Sequence, residues 1–322
     1  MSDQTLRVES MEQRNFSMVA EFILLGLTES RELQIFFFVF FSIIYTVTVF
    51  GNLFIILTVI FNSHLHSPMY FLLANLSFID MSLASFATPK MIHNLASKHK
   101  AISYQGCMAQ MFFLHLFGGS EMMLLVAMAI DRYIAICKPL HYSTIMNHRA
   151  CFGLVLLSWT TGFVHTMSQM VFTVTLPFCG PNIVDSFFCD LPRVIKLACL
   201  DTYILELLVI ADSGLLSLIC FILLLISYSI ILVTIRLHSS SGSSKALSTL
   251  SAHITVVVLF FGPCIFIYVW PFSSISTDKT LSVFYTIFTP LLNPIIYTFR
   301  NKDMKRAIRR LKHQHVNCIR TS

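Results

Sequence analysis

Four polar side chains stand inside long apolar stretches of this sequence: Asn52, Asp80, Glu121 and Asn293, the last followed at once by Pro294. An ionisable group surrounded by hydrocarbon is costly to keep, so each is a functional candidate. Two carboxylates and two amides, once gathered, need protons or a cation to neutralise them. Oxygen-only ligands suit a hard ion such as sodium, and protonated acids hydrogen-bonded between helices would satisfy the same residues. His115 and Asp212 interrupt two further apolar stretches, and the triplet Asp131-Arg132-Tyr133 lies near the end of another. Adjacent opposite charges can simply cap a helix, but the residues around this triplet argue for more. No catalytic set accompanies these groups. There is no Gly-rich phosphate loop, and the pairs His64/His66 and His313/His315 lack the further ligands that a metal centre needs. The expectation is a protein that is not an enzyme and has no resident cofactor beyond that ion.

The elements that carry these residues must lie in lipid. Of 322 residues, 56% are hydrophobic and 12% charged, where a soluble domain carries about 25% charged residues. A helix crosses a bilayer with ~20 apolar residues. Seven such stretches are expected, at 35–61, 68–92, 107–137, 151–171, 203–237, 247–270 and 281–299. The reading is an all-α membrane protein: an extracellular segment 1–34, a seven-transmembrane domain 35–299, and a cytoplasmic tail 300–322. In the tail Met304, Ala307, Ile308 and Leu311 fall at helical spacing among basic residues, which suits a short amphipathic helix on the anionic inner leaflet. Residues 239–244 read as a flexible loop.

Charge placement orients the chain. The net charge is +6, but the basic residues gather beside apolar stretches, as in membrane orientation, and form no stripe for nucleic acid. Arg300, Lys302, Lys305, Arg306, Arg309, Arg310, Lys312 and Arg320 crowd the tail, whereas acids outnumber bases in the head. The head should therefore be extracellular and the tail cytoplasmic, in a multi-pass protein of the plasma membrane. The head has no apolar signal-peptide core, and Asn15-Phe16-Ser17 is a glycosylation acceptor there. Cys107, Cys179, Cys189 and Cys199 fall on the outer side, where disulfides form. Four cysteines allow three pairings, and spacing does not choose among them.

Several blocks then resemble one family across nearly the whole chain. They are Gly51-Asn52, LHSPMY at 65–70, LSFID at 76–80, MAIDRYIAICKPLHY at 128–142, Ser227-Tyr228, KALSTLSAHITVV at 245–257 and PLLNPIIYTFRN at 290–301. Together they resemble odorant receptors, a branch of the rhodopsin-like G-protein-coupled receptors. The resemblance implies that small, mostly apolar volatile molecules bind between helices three, five, six and seven. A stimulatory heterotrimeric G protein then docks at the cytoplasmic ends and cAMP rises. It implies that Arg132 is the switch residue, held by Asp131 at rest, with Tyr133 beside them and Tyr228 and Tyr297 rearranging on activation. It assigns Asp80, Glu121 and Asn293 to a sodium pocket, and pairs Cys107 with Cys189 and Cys179 with Cys199. Two positions depart from the family pattern: Ile130 and Phe261 stand where tyrosines are usual. The seventh stretch, 281–299, has no lysine, which separates the chain from opsins, and Leu114 stands where amine receptors carry aspartate. A transporter would show inverted repeats and broken helices in both halves, and the sequence has neither.

For the ligand site, His115 lies about 12 Å inward of Cys107 and Asp212 about 13–14 Å inward of Tyr203, at 1.5 Å per helical residue. Matched depths suggest that the two face each other across the pocket and hydrogen-bond directly or through the ligand. Leu114, Gly118, Gly119, Cys264, Ile265, Tyr268 and Thr286 are the expected remaining walls. Such a pocket suits small neutral alcohols, ketones or phenols, and Asp212 would repel carboxylates.

Overall fold

The computed structural model describes residues 19–178, 181–237, 243–269, 277–299, 304 and 306. Seven helical passes form a bundle. They are α1 (Arg31–Phe61), α2 (Pro68–Ala96), α3 (Tyr104–Cys137), α4 (His148–Thr173), α5 (Tyr203–Leu237), α6 (Ser243–Val269) and α7, which runs through Thr277–Val283, Phe284–Phe288 and Thr289–Phe299. Among the described residues, α1 to α5 are each long and apolar enough to cross a membrane, and α6 holds a shorter apolar stretch, His253–Phe266. The expected passes all fall on these helices. Most ends extend past the apolar stretch because polar caps continue the helix into the interface. Ser103 Oγ accepts from the Gly106 N–H at 3.1 Å at the start of α3, and Asn147 Oδ1 accepts from the Ala150 N–H at 3.0 Å at the start of α4.

The burial pattern gives the layout. In its most apolar window α3 is 72% buried, against 22% for α5. The first is the axis of the bundle and the second faces lipid along most of its surface. Helix α3 packs on α2, α4 and α5, and α7 closes the ring against α1 and α2. The contact of α3 with α4 depends on small residues. A Cβ on Gly162 would lie 2.7 Å from the Leu116 carbonyl oxygen, so only glycine allows the backbones to approach this closely.

Proline positions set the interhelical hydrogen bonds. Pro294 has no N–H, so the carbonyl of Pro290 loses its helical partner. Asn52 replaces it: its amide donates to Pro290 O at 3.0 Å and to Thr48 O at 3.0 Å, tying α1 to α7. Near the Pro89 kink of α2, the Gln110 amide of α3 donates to Phe86 O at 2.8 Å.

Two features were not anticipated. Helices α5 and α7 each contain one π-helical turn, Ile210–Gly214 and Phe284–Phe288. At the N-terminal end of α3 there is also a small sheet: β1 (Glu21–Leu24), β2 (Ala101–Ser103) and β3 (Ile183–Val184), with β1 in the centre. Strand β1 runs antiparallel to β2, with Phe22 opposite Ile102, and parallel to β3, with Ile23 opposite Ile183. Its alternate residues Phe22 and Leu24 are fully buried, the period expected of a strand with one covered face. Gly26 follows at φ 79°, where glycine is at no steric disadvantage.

Candidate functional site

Beneath the sheet the loop between α4 and α5 folds onto the bundle as a lid. Cys107 and Cys189 are joined by a disulfide with Cα atoms 5.5 Å apart. Gln110 strengthens the tether, since its Oε1 accepts from the Cys189 N–H at 2.8 Å while its amide holds α2. An ion-pair group adds to the lid's edge: Arg193 contacts Asp185 at 3.3 Å and Asp190 at 3.7 Å, and Lys279 of α7 pairs with Asp185. Cys179 lies outside the described residues, and with it the pairing to Cys199.

Directly under the lid is a cavity of about 50 Å³. Its walls include Leu114, His115, Gly118, Gly119, Cys264 and Thr286 from the expected set, together with His165, Met122, Phe188, Phe260 and Tyr285. Gly118 opens space, because a Cβ there would meet nothing within 4 Å. Gly119 makes room for its neighbour instead: a Cβ there would lie 3.1 Å from His165 Cδ2. Asp212 and Ile265 are not among the wall residues, and the Tyr268 side chain lies outside the described residues.

The expected pairing of His115 with Asp212 is not what the structure contains. His115 Nδ1 bonds to Met111 O at 2.8 Å within its own helix. Asp212 turns toward α4. It accepts from His165 Nδ1 at 3.2 Å, from the Gln169 amide at 2.7 Å and from the Ser168 hydroxyl. The depth argument fixed the level along each axis but not the rotation about it. Asp212 sits in the π turn of α5, where an extra residue per turn shifts the direction of its side chain. The ring between the two residues is His165, whose centroid lies 5.9 Å from that of His115. With three donors from α4, the carboxylate charge of Asp212 points away from the cavity, so the expected repulsion of carboxylates loses its basis.

Deeper in the bundle, the Asn293 amide donates to both Asp80 oxygens at 3.0 Å. Glu121 is within electrostatic reach of Asp80 and fully buried. Among the described residues, both of its oxygens, together with Asn293 Oδ1 and Asn52 Oδ1, have no hydrogen-bond donor. At the opposite end of the bundle Asp131 accepts from the Tyr142 hydroxyl at 2.8 Å, and the charge of Arg132 also acts on it. Burial and the bond to Asp131 push the Tyr142 phenol above its ordinary pKa. Tyr228 of α5 and His253 of α6 both lie within electrostatic range of Arg132. The Tyr297 side chain and Asn15 fall outside the described residues, as does the tail except residues 304 and 306, both helical.

Sequence reasoning missed His165, Gln169, Tyr142 and His253. Two of these, Tyr142 and His253, were already inside recognised blocks. His165 and Gln169 share one face of α4 four residues apart, a spacing that could have marked them.

A seven-helix bundle with a disulfide-tethered lid over a cavity, and a buried acid cluster below it, defines a seven-transmembrane receptor. Residues 41–315 match the olfactory receptor family, and this chain belongs to it. Human olfactory receptor 4K3 is 69% identical over 297 residues, covering 92% of this chain and 94% of that protein. Human olfactory receptor 4K13 is 69% identical over 300 residues, covering 93% and 99%. Human olfactory receptor 4K15 is 64% identical over 306 residues, covering 95% and 94%. The chain is thus a multi-pass membrane protein and an odorant receptor, not an enzyme.

Proposed function

We propose that compact, mostly apolar odorants bind in the cavity under the lid and that the receptor then activates a stimulatory heterotrimeric G protein, raising cAMP. The observation that carries this reading is the cavity itself. It is walled largely by apolar side chains and contains a few polar groups that can fix a ligand's orientation. Helices α3, α5, α6 and α7 all contribute to it, so a ligand that draws them together would bias their cytoplasmic ends. There Arg132 has Tyr228 and His253 from two different helices beside it, an arrangement that helix movement would rearrange.

The proposed orientation puts the head outside the cell and the tail in the cytoplasm, at the plasma membrane. A disulfide at the outer end of α3 and the basic tail both favour it, and the tail would also meet anionic lipid. A sodium ion is proposed for the acid cluster. The donorless oxygens of Glu121 and Asn293, close to Asp80, offer a hard-cation ligand set. When bound, the ion would supply charge neutralisation and no chemistry.

A cAMP reporter screen of small odorants in cells displaying the receptor tests the reading. Active odorants should lose all signal in Arg132→Ala while that variant remains at the surface. An unchanged dose response in Arg132→Ala would refute the switch.

A further inference from the structure

We infer that this receptor selects odorants with a hydroxyl hydrogen to donate, and that His115 Nε2 is the acceptor that does the selecting. The inference rests on the cavity being the odorant site. It begins with the bond from His115 Nδ1 to Met111 O at 2.8 Å. A carbonyl oxygen can only accept, so Nδ1 holds the proton. The carboxylate that could have charged the ring, Asp212, is instead committed to His165, Ser168 and Gln169. An imidazolium without a counter-charge in an apolar cavity is costly, so the ring is neutral and Nε2 carries a lone pair. Among the described residues that buried nitrogen has no hydrogen-bond partner, and its residue forms part of the cavity wall.

An unsatisfied buried acceptor favours whichever ligand brings it a donor. An alcohol or phenol does so. A ketone, aldehyde or ether brings a second lone pair to face the first, and leaves the His115 nitrogen unsatisfied. A site built around a hydrogen bond rejects the analogue that cannot make it far more strongly than an apolar wall rejects an extra methylene. Thr286 does not offset this, because its hydroxyl hydrogen is used on Ser282 O at 2.7 Å within α7. The cavity is small, with room for the equivalent of a few waters, so the hydroxyl compound must be compact.

The test uses matched compounds on the full-length receptor in the cAMP reporter assay: phenol and the cresols against their methyl ethers, and cyclohexanol and short alkanols against the corresponding ketones and aldehydes. Hydroxyl members should activate, with capped or oxidised partners weaker by roughly tenfold or more. His115→Phe should erase the difference within each pair, and His115→Gln, which keeps an acceptor, should retain part of it. Surface labelling of each variant separates loss of selection from loss of folding. Ethers or ketones as potent as their hydroxyl partners would overturn the inference. So would a silent panel on a receptor present at the surface. Gly118→Phe, which fills the cavity, tests the underlying reading separately. If it leaves responses intact, the cavity is not the odorant site; if it abolishes them while ketones match alcohols, the cavity stands and the role of His115 falls.

Discussion

Asp80, Glu121 and Asn293 come from α2, α3 and α7, so anything that binds all three holds those helices in their present arrangement. An ion there would oppose the movement that an odorant must cause. Replacing external and internal sodium with choline in the cAMP assay should therefore increase odorant potency, by about fivefold or more if the coupling is of ordinary size. Asp80→Asn should flatten the dependence. Identical dose responses in the two salts would remove the ion from the account. The candidates at this scale were legible because a charge in an apolar stretch has few innocent explanations. Their partners were less so. His115 and Asp212 are at matched depth, yet each bonds elsewhere, because rotation about a helix axis depends on neighbours and on local π turns that periodicity does not report. His165 escaped notice although Gln169 follows four residues later on the same face, because Thr161 and Ser168 add polar residues elsewhere around that helix.

At the scale of elements, the closest contact is α3 on α4. Gly162 has backbone atoms of α3 where its Cβ would be, whereas a Cβ on Gly153 of the same helix would meet nothing within 4 Å. Gly162→Ala should sharply reduce surface expression and Gly153→Ala should leave it unchanged, measured by flow cytometry on intact cells. Equal expression of the two would show that the helices can separate at no cost. The lid gives a second comparison. Cys107→Ala and Cys189→Ala each remove the tether, and loss of a native disulfide typically costs ~2–5 kcal/mol. Both variants should lose surface display or response, and the double variant should be no worse than either one, since each alone already breaks the bond. A fully responsive Cys189→Ala would mean that Gln110 and the sheet suffice. The helices were legible from length and hydropathy. The strands were not, because three or four residues of ordinary polarity carry no periodic signal, and β1 is a strand only where β2 and β3 happen to meet it.

For the whole molecule, the proposed orientation rests chiefly on the distribution of charge. A protease added to intact cells should remove the head and spare the tail. A glycosidase should increase gel mobility, and Asn15→Gln should abolish that shift. A protected head would reverse the proposed topology. Seven passes, their order and the family blocks could all be read in advance, since lipid imposes the same length and polarity on every crossing. What could not be read is how the outer surface closes. That depends on contacts between segments far apart in sequence.

One of those contacts constrains how the receptor is made. Strand β1 leaves the ribosome first, yet Ile23 pairs with Ile183, about 160 residues later. At ~5–20 residues per second, that edge of the strand waits about ten to thirty seconds for its partner. It can reach its place only after the fourth helix has been inserted. Throughout that interval a hydrophobic strand edge is available to chaperones and to neighbouring chains. Assembly of the outer surface is thus a late step in biogenesis, and crowded synthesis would expose this receptor to retention before it ever meets an odorant.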